Sequence, residues 1–377
     1  MGKTLYLNID TTSDNGLKAP VNSIAGSPPF APVDIGVVAD LETNSYSVFG
    51  QVDYDLTETL TLTAGARLIQ EEKDFDLLIA IFPSFDSFTV NQGDPIPNAF
   101  GAGSPYTNTD DSSDTLWTGK LQLDWRYTDD LLLYAGINRG VKAGSFNAPL
   151  LGAFLGAGGD ESLPYDEEVL VSYEGGFKKS FAGGMTRLNG TAFYYDYTDY
   201  QSFLFVGVGG VVQNNDARTY GAELELQTSP MDGLDIMLSG AWFDATVKDV
   251  PLRRGSPLPP RDVKPTYAPE LQAAGLIRYQ WPALGGNLAV QADFSYSDEF
   301  FYNLRNFDAD KFDSYTIYNS SVSWSSTDSQ WQLTLAVRNL TDERAGTQGF
   351  DLASLCGCNE IAFREPRLYS VALRYEF

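Results

Sequence analysis

Several stretches of the sequence alternate strictly between apolar and polar residues. Residues 331–338 read Trp-Gln-Leu-Thr-Leu-Ala-Val-Arg, and residues 60–68, 288–296 and 369–377 repeat the same pattern. A period of two over such lengths is the signature of a β-strand whose two faces meet different surroundings. The stretches exceed the about five or six residues of an average strand and approach the roughly nine to eleven residues of a strand that crosses a membrane.

The connections between these stretches alternate between short and long. Short turns are predicted near 55–59, 128–130, 182–185, 229–233, 282–287 and 325–330, and long loops near 76–114, 141–169, 200–217, 249–266, 299–313 and 340–366. This rhythm is typical of an up-and-down barrel with tight turns on one side of a membrane and long loops on the other. We therefore predict an all-β, antiparallel transmembrane β-barrel that occupies residues 1–377 as a single unit.

The pattern predicts about 14 strands, with a weak first one at Thr4–Asp10. The others are predicted to start near Tyr46, Leu60, Thr115, Leu131, Leu170, Thr186, Arg218, Leu234, Tyr267, Leu288, Ser314, Trp331 and Arg367. Aromatic residues cluster near the strand ends, at Tyr127, Tyr134, Tyr194, Tyr195, Trp281, Trp324, Trp331, Tyr375 and Phe377. They are typical of girdles at the lipid headgroups, with cross-strand ring pairing as the alternative.

Composition excludes several other classes of function. The formal charge is -25, which argues against nucleic acid as a partner. Histidine is absent, so the commonest metal ligand and general base are missing, and we predict neither a catalytic residue nor a metal or other cofactor. The only cysteines, Cys356 and Cys358, have a spacing that permits a local disulfide, whereas metal capture by two thiolates alone is a weak alternative.

Five short motifs occur in the order found in one family. They are 131–146 (LLLYAGINRGVKAGSF), 174–178 (EGGFK), 191–197 (TAFYYDY), 220–225 (YGAELE) and 337–342 (VRNLTD). With the terminal Phe377 they resemble the C-terminal β-barrel portion of TonB-dependent outer-membrane receptors, from about residue 46 to the end. The resemblance implies a bacterial outer-membrane, multi-pass receptor for TonB-dependent uptake of an iron-siderophore or a similarly scarce nutrient.

The resemblance also implies partners and missing parts. Such barrels have about 22 strands and a plug in the lumen, and neither a plug domain nor a TonB box is recognisable in the sequence. The TonB complex is therefore expected as a partner only if both are supplied elsewhere. Outer-membrane lipid and the barrel-assembly machinery are the other expected partners, the latter through the alternating terminal residues Tyr369, Val371, Leu373, Tyr375 and Phe377.

Two groups of residues are candidates for contact with a ferric siderophore or similar small molecule. Arg139, Lys142 and Asn147 follow one strand and suit an anionic ligand, although a solvated barrel rim explains them as well. Phe301, Tyr302 and Arg305 lie in a long loop whose aromatic rings suit a planar ligand, with simple loop packing as the alternative.

Two rival functions and one structural expectation accompany this interpretation. The rivals are a passive outer-membrane channel or non-functional barrel fragment, and a secreted all-β carbohydrate-active enzyme with a carboxylate pair. About fourteen strands cut from a larger barrel leave two strand edges. The weak strand at Thr4–Asp10 is a poor partner for the final strand, so we expect incomplete or irregular closure and an unplugged lumen.

Overall fold

A computed structural model of the chain describes residues 3–9, 33–83, 106–148, 163–206, 209–251, 259–352 and 357–376. Fourteen strands of this part form one antiparallel sheet, each pairing with the strands next to it in the chain. They are β1 (Lys3–Ile9), β2 (Val33–Thr57), β3 (Leu60–Pro83), β4 (Tyr106–Thr128), β5 (Leu131–Lys142), β8 (Glu168–Phe181), β9 (Thr186–Val206), β10 (Gly209–Met231), β11 (Leu234–Val250), β13 (Leu271–Ala283), β14 (Gly286–Ser297), β17 (Tyr315–Ser326), β18 (Trp331–Arg338) and β21 (Leu368–Tyr375).

Short elements lie within the longer connections. They are β6 (Ser145–Phe146), β7 (Pro164–Tyr165), β12 (Arg261–Val263), β15 (Phe300–Phe301), β16 (Lys311–Phe312), β19 (Gly346–Leu352), β20 (Cys358–Phe363) and a 3₁₀ turn at Asp308–Asp310, and another 3₁₀ turn, Ala182–Gly184, joins β8 to β9. None of the described elements is a helix long and apolar enough to cross a membrane.

The order of the sheet confirms the predicted up-and-down architecture and its number of strands. Its two ends are β1 and β21, and within the described ranges each of these pairs with a single neighbour. The described sheet therefore has two strand edges that do not meet, as expected for an incompletely closed barrel.

Short and long connections lie at opposite ends of the sheet. The short ones are residues 58–59, 129–130, 182–185, 232–233, 284–285 and 327–330. Gly233 has a φ of 79°, and a Cβ there would collide with the carbonyl oxygen of Gln280, so this turn requires glycine. We call this end of the sheet the turn end and the opposite one the loop end.

Several strands extend further toward the loop end than predicted. β2, β3 and β4 have 25, 24 and 23 residues, more than twice what a membrane crossing needs. The predicted starts at Tyr46 and Thr115 were therefore too late, and the loop predicted at 76–114 is shorter. The polar run at 107–114 carries no alternation, but it pairs with residues 71–78 of β3 and so becomes strand.

The long loop predicted at 200–217 is wrong. β9 and β10 remain paired up to Val206 and Gly209, with one register shift between Asn215 and Ala217. Asp199, opposite this shift, has a φ of 55°, as is typical of a β-bulge. We call residues 200–206 and 209–215 the arm. Residues 209–212 are thus part of β10, while residues 207–208 lie outside the described ranges.

The two faces of the sheet differ as the alternation predicts. Leu68, Leu224 and Leu335 point outward and are exposed, like most apolar residues of their face. On the opposite face polar side chains bond one another: Thr63 donates to Asp53 over 2.6 Å, and many neighbouring strands make similar pairs. An apolar outside and a polar inside are the properties of a transmembrane barrel wall.

The aromatic residues divide differently from the prediction. Trp331 and Tyr375 pack on the outer face with ring centroids 4.6 Å apart, as girdle residues would. Tyr134 and Tyr195 face inward instead, since their hydroxyls bond Thr191 over 2.6 Å and Glu174 over 3.1 Å. They are not girdle residues. Phe377 lies outside the described residues.

Buried apolar clusters lie at the loop end. One joins the arm, the adjoining part of β10, β11 and two connections through Leu204, Val211, Ala217, Val247, Val250, Val263 and Leu304. Another consists of Phe300, Tyr302 and Phe312. These ends of the strands thus have cores of their own, of the kind found in water-soluble domains.

Candidate functional site

Two outer connections pack together at the loop end. They are residues 298–314, which contain β15 and β16, and the described part of residues 339–367, namely 339–352 and 357–367, which contains β19 and β20; together we call them the cap. Gly349 and Gly346 of β19 lie directly on the rings of Tyr302 and Phe312, and a Cβ at Gly349 would stand 2.6 Å from the Tyr302 ring. Only glycine permits this close approach of backbone to ring.

Polar bonds hold the two halves of the cap to each other. The side-chain amide of Asn359 donates to the Tyr302 hydroxyl over 2.7 Å and to the Ala309 carbonyl over 2.9 Å. Asn359 directly follows Cys358, which is disulfide-bonded. Cys356, the other cysteine of the predicted local disulfide, lies outside the described residues. A buried ion pair between Arg305 and Asp351 adds a second link. The cap is therefore one packed unit.

Burial shapes the electrostatics of the cap. It raises the pKa of Tyr302 to about 12, with the nearby charge of Asp310 adding to the effect. Burial also raises the pKa of Asp310 and lowers that of Arg305, while the attraction between these two groups opposes both shifts. Asp310 Oδ2 and Arg305 Nε are both buried and have no hydrogen-bond partner within the part of the chain that the structure describes. Such atoms are costly and often mark functional regions.

A cavity of about 210 Å³ lies between the cap and the arm. Its walls are Phe203 from the arm, Thr266 and Tyr267 from the connection after β11, and cap residues including Tyr302, Leu304, Phe350 and Asp351. Four stretches of the chain that are far apart in sequence thus meet around one mostly apolar space.

The structure brings Phe301, Tyr302 and Arg305, one of the two predicted groups of ligand-binding residues, together at this cavity. Tyr302 lines the cavity, and Arg305 is bonded to Asp351 in its wall. The carbonyl of Phe301 accepts a hydrogen bond from the backbone N–H of Tyr267 over 2.8 Å, so Phe301 positions another wall residue.

The other predicted group of ligand-binding residues, Arg139, Lys142 and Asn147, does not come together at one site. Arg139 faces outward, where its guanidinium lies 4.1 Å from the centre of the Trp117 ring. Lys142, an odd number of residues further along β5, is on the opposite face and is exposed. Asn147 is buried and its carboxamide bonds both backbone groups of Val212, with distances of 2.8 and 2.9 Å. Asn147 thereby attaches the connection after β5 to the arm.

Other polar residues that fix the arm were not predicted. Gln201 donates to the carbonyls of Ala143 and Asp166 over 2.8 and 3.0 Å, and Asn214 donates to the carbonyl of Asp199 over 2.8 Å. The Gln-Asn-Asn run at 213–215 was the only local signal of such a network. These bonds anchor the arm that forms one wall of the cavity.

The predicted assembly signal lies on the final strand. Tyr369, Val371, Leu373 and Tyr375 are exposed on one face of β21, while Phe377 lies outside the described residues. Over the described ranges no group of three or more histidine, cysteine, aspartate or glutamate side chains is placed to hold a metal ion.

Comparison with known proteins identifies the fold. The sequence profile described as "TonB dependent receptor-like, beta-barrel" matches residues 4–340. The ferric yersiniabactin uptake receptor FyuA from Yersinia pestis is similar in structure, with a TM-score of 0.68 at 17% identity over 93% of this chain and 52% of that one.

Two other receptors give similar results. The ferric-catecholate import receptor Fiu from E. coli K12 has a TM-score of 0.63 at 16% identity, over 92% of this chain and 46% of that one. The siderophore receptor PiuA from Acinetobacter baumannii has a TM-score of 0.63 at 17% identity, over 94% and 47%. The chain thus spans about half the length of these proteins. The profile match covers most of the sequence, and the chain therefore belongs to the TonB-dependent receptor-like β-barrel family.

Proposed function

We propose that the chain is a multi-pass barrel of the bacterial outer membrane that serves in the uptake of a ferric siderophore or a similarly scarce nutrient. The observation that carries the proposal is the packed cap with its cavity, which stands at the loop end of a wall that is apolar outside and polar inside. Solved proteins of similar fold include uptake receptors for ferric yersiniabactin and ferric catecholates.

The ligand would meet the loop end first. There Tyr302 offers an aromatic surface, and Phe301 and Arg305 hold the walls around it. Lys142 is an exposed cation on the inner face of β5, suited to an anionic ligand on its way through the lumen. Arg139 and Asn147 act as framework residues in this proposal, because their side chains are engaged with Trp117 and Val212.

Energised transport and assembly require other components. Coupling to the TonB complex depends on a plug and a TonB box, which would have to act together with this barrel. Insertion would proceed through the barrel-assembly machinery, with Tyr369, Val371, Leu373, Tyr375 and Phe377 as its recognition signal and outer-membrane lipid around the wall.

Equilibrium binding of iron-loaded siderophores tests the proposal. The chain is reconstituted into lipid nanodiscs and titrated with radioactive iron bound to catecholate, phenolate or hydroxamate siderophores. We expect saturable binding of one class and weaker binding by Tyr302→Ala. Tyr318, an exposed tyrosine of the sheet that does not line the cavity, provides the control substitution Tyr318→Ala. Failure of all three classes to bind would contradict the proposal.

A passive channel is the second candidate, and the polar inner face of the wall favours it. Conductance in planar bilayers distinguishes the two. A channel passes ions steadily without ligand and without dependence on Tyr302, whereas the receptor is defined by saturable ligand binding. The family comprises receptors and transporters, which argues against the carbohydrate-active enzyme.

A further inference from the structure

The cavity between the cap and the arm has an unusual rim. Phe203, Tyr267 and Phe350 surround it and remain 54%, 47% and 39% exposed, although each is a large aromatic residue in a water-facing part of the molecule. Below them the ring of Tyr302 is buried. Exposed aromatic rings that converge on one cavity are typical of a binding site and not of a finished core.

The backbone of Tyr267 is strained to keep its ring at this rim. Its φ is 56°, which is an outlier for a bulky residue. The conformation is held by a hydrogen bond from its N–H to the Phe301 carbonyl over 2.8 Å and by contact of its hydroxyl with the Gly349 N–H over 3.4 Å. Strain of this kind persists where the surrounding structure enforces it, and it clusters at binding sites.

The walls carry no net charge toward the cavity. Asp351 is neutralised by its ion pair with Arg305, and the hydroxyl of Tyr302 is held by Asn359 and the Ala309 carbonyl. Leu304 completes the buried part of the lining. A charged group entering here would lose its hydration without gaining a free counter-ion, so the site selects against ions.

The size of the cavity limits the occupant further. A cavity of about 150 Å³ with apolar walls is enough to bind benzene, whereas drug-sized ligands need roughly 300 Å³ or more. At about 210 Å³ the space suits one substituted ring and no larger group. We propose that it is a subsite for a single uncharged aromatic ring, gripped between the arm and the cap. The proposal rests on the proposed function only in taking the loop end as the side from which ligand arrives.

Binding of a small fluorinated probe tests the subsite directly. The full chain in nanodiscs is titrated with 4-fluorophenol and with 4-fluorobenzoate, followed by fluorine NMR. We expect saturable binding of the neutral phenol and weaker binding of the charged benzoate. Phe203→Ala removes one stacked ring and should weaken phenol binding about three- to tenfold. Gln348 lines the cavity and is exposed, so Gln348→Trp should fill the cavity entrance and abolish phenol binding.

Phe363→Ala is the matched control, because Phe363 is a similarly exposed aromatic of the cap that does not line the cavity. Heat-dependent migration in detergent gels verifies that each variant is folded. Absence of phenol binding by the original chain, equal binding by all four proteins, or tighter binding of the benzoate would each overturn the proposal. The siderophore titration is an independent test. If iron-loaded siderophores bind and the phenol does not, the subsite proposal is wrong and the proposed function stands. If the phenol binds and no siderophore does, the proposed function is wrong and the subsite proposal stands.

Discussion

Apolar side chains are exposed in one part of the sheet and buried in another. They are exposed in the wall, the part of the sheet between the turn end and the loop end, and buried at the loop end. Leu224, in the wall part of β10, is 52% exposed, whereas Leu204, in the arm, is 2% exposed. Both are leucines in long antiparallel strands, so strand propensity does not explain the difference. The wall leaves its apolar face to be covered by lipid, and the loop end, which meets water, must bury apolar residues against the protein itself.

Polar groups show the complementary difference. In the wall they point to the lumen and pair across neighbouring strands, as Asn319 does with Asp293 over 2.7 Å. At the loop end several are buried within the protein, including Asn303, Asp310 and Asp351. The wall is thus built by alternation along each strand, whereas the cap is built by contacts between distant segments, and the two should respond differently to substitution.

The largest effect is expected from the buried ion pair of the cap. Arg305→Met leaves Asp351 buried without its cation and should destabilise the cap by about 3–5 kcal/mol. Lys311→Met breaks a solvent-exposed pair with Glu299 and should change the protection of the cap little. Hydrogen exchange of the cap amides measures both. Equal protection in the two variants would mean that the pair is not a structural link.

The two leucines provide a direct comparison of the regions. Leu204→Ala should destabilise the loop end by about 2–5 kcal/mol, because it leaves a cavity in a packed cluster. Leu224→Ala removes contacts with lipid only and should have a clearly smaller effect. Denaturant-induced unfolding in detergent, with the arm and the wall probed separately by proteolysis, measures the loss of stability that each substitution causes. A larger loss from Leu224→Ala would reverse the assignment of the regions.

Charge placed on the wall tests its outer face. Leu335→Arg directs a cation into the hydrocarbon and should cost roughly 2–4 kcal/mol near the midplane. Thr334→Arg, one residue earlier, directs the same cation to the lumen and should be mild. The measure is the yield of folded barrel in liposomes. Similar yields for the two variants would show that the strand register is wrong.

A smaller, pH-dependent effect is expected at Tyr302. Its pKa is raised to about 12 in the folded cap, whereas an unfolded tyrosine has its ordinary value near 10. The stabilisation is therefore fully present below about pH 10 and is lost as the pH rises from there to about 12, since only the unfolded state releases the proton. Hydrogen exchange of the cap across this pH range measures the loss of stability. Tyr302→Phe, which has no hydroxyl to titrate, should lose less stability over the same range. An unchanged profile in Tyr302→Phe would assign the loss to other groups.

The wall was largely predictable from the sequence. Strand starts at Leu60, Leu131, Thr186, Leu234 and Trp331 agree with the structure, because alternation and turn residues are local signals. The ends of β2, β3, β4, β9 and β10 were not predictable in the same way. Beyond the membrane their residues become strand through pairing with distant partners, and polar runs such as 107–114 resemble loops.

The candidate site was predictable only in part. Tyr302 and Arg305 stood out because aromatic and cationic residues follow each other within one loop. Phe203, Gly349 and Asn359 did not, since their roles depend on the arm and the last connection meeting that loop in space. Arg139 was predicted to contact a ligand because it lies near a long loop. That criterion failed, because the alternation of β5 directs the Arg139 side chain outward to Trp117.

Cysteine accessibility on intact cells tests the central claim, that cap and turns lie on opposite sides of a membrane-embedded wall. In a background with Cys356→Ser and Cys358→Ser, single cysteines are introduced as Asp308→Cys in the cap and Asp232→Cys in a short turn, both at exposed positions. A membrane-impermeant maleimide should label Asp308→Cys on intact cells and Asp232→Cys only after the cells are opened. Strong labelling of Asp232→Cys on intact cells, with Asp308→Cys protected, would contradict the account.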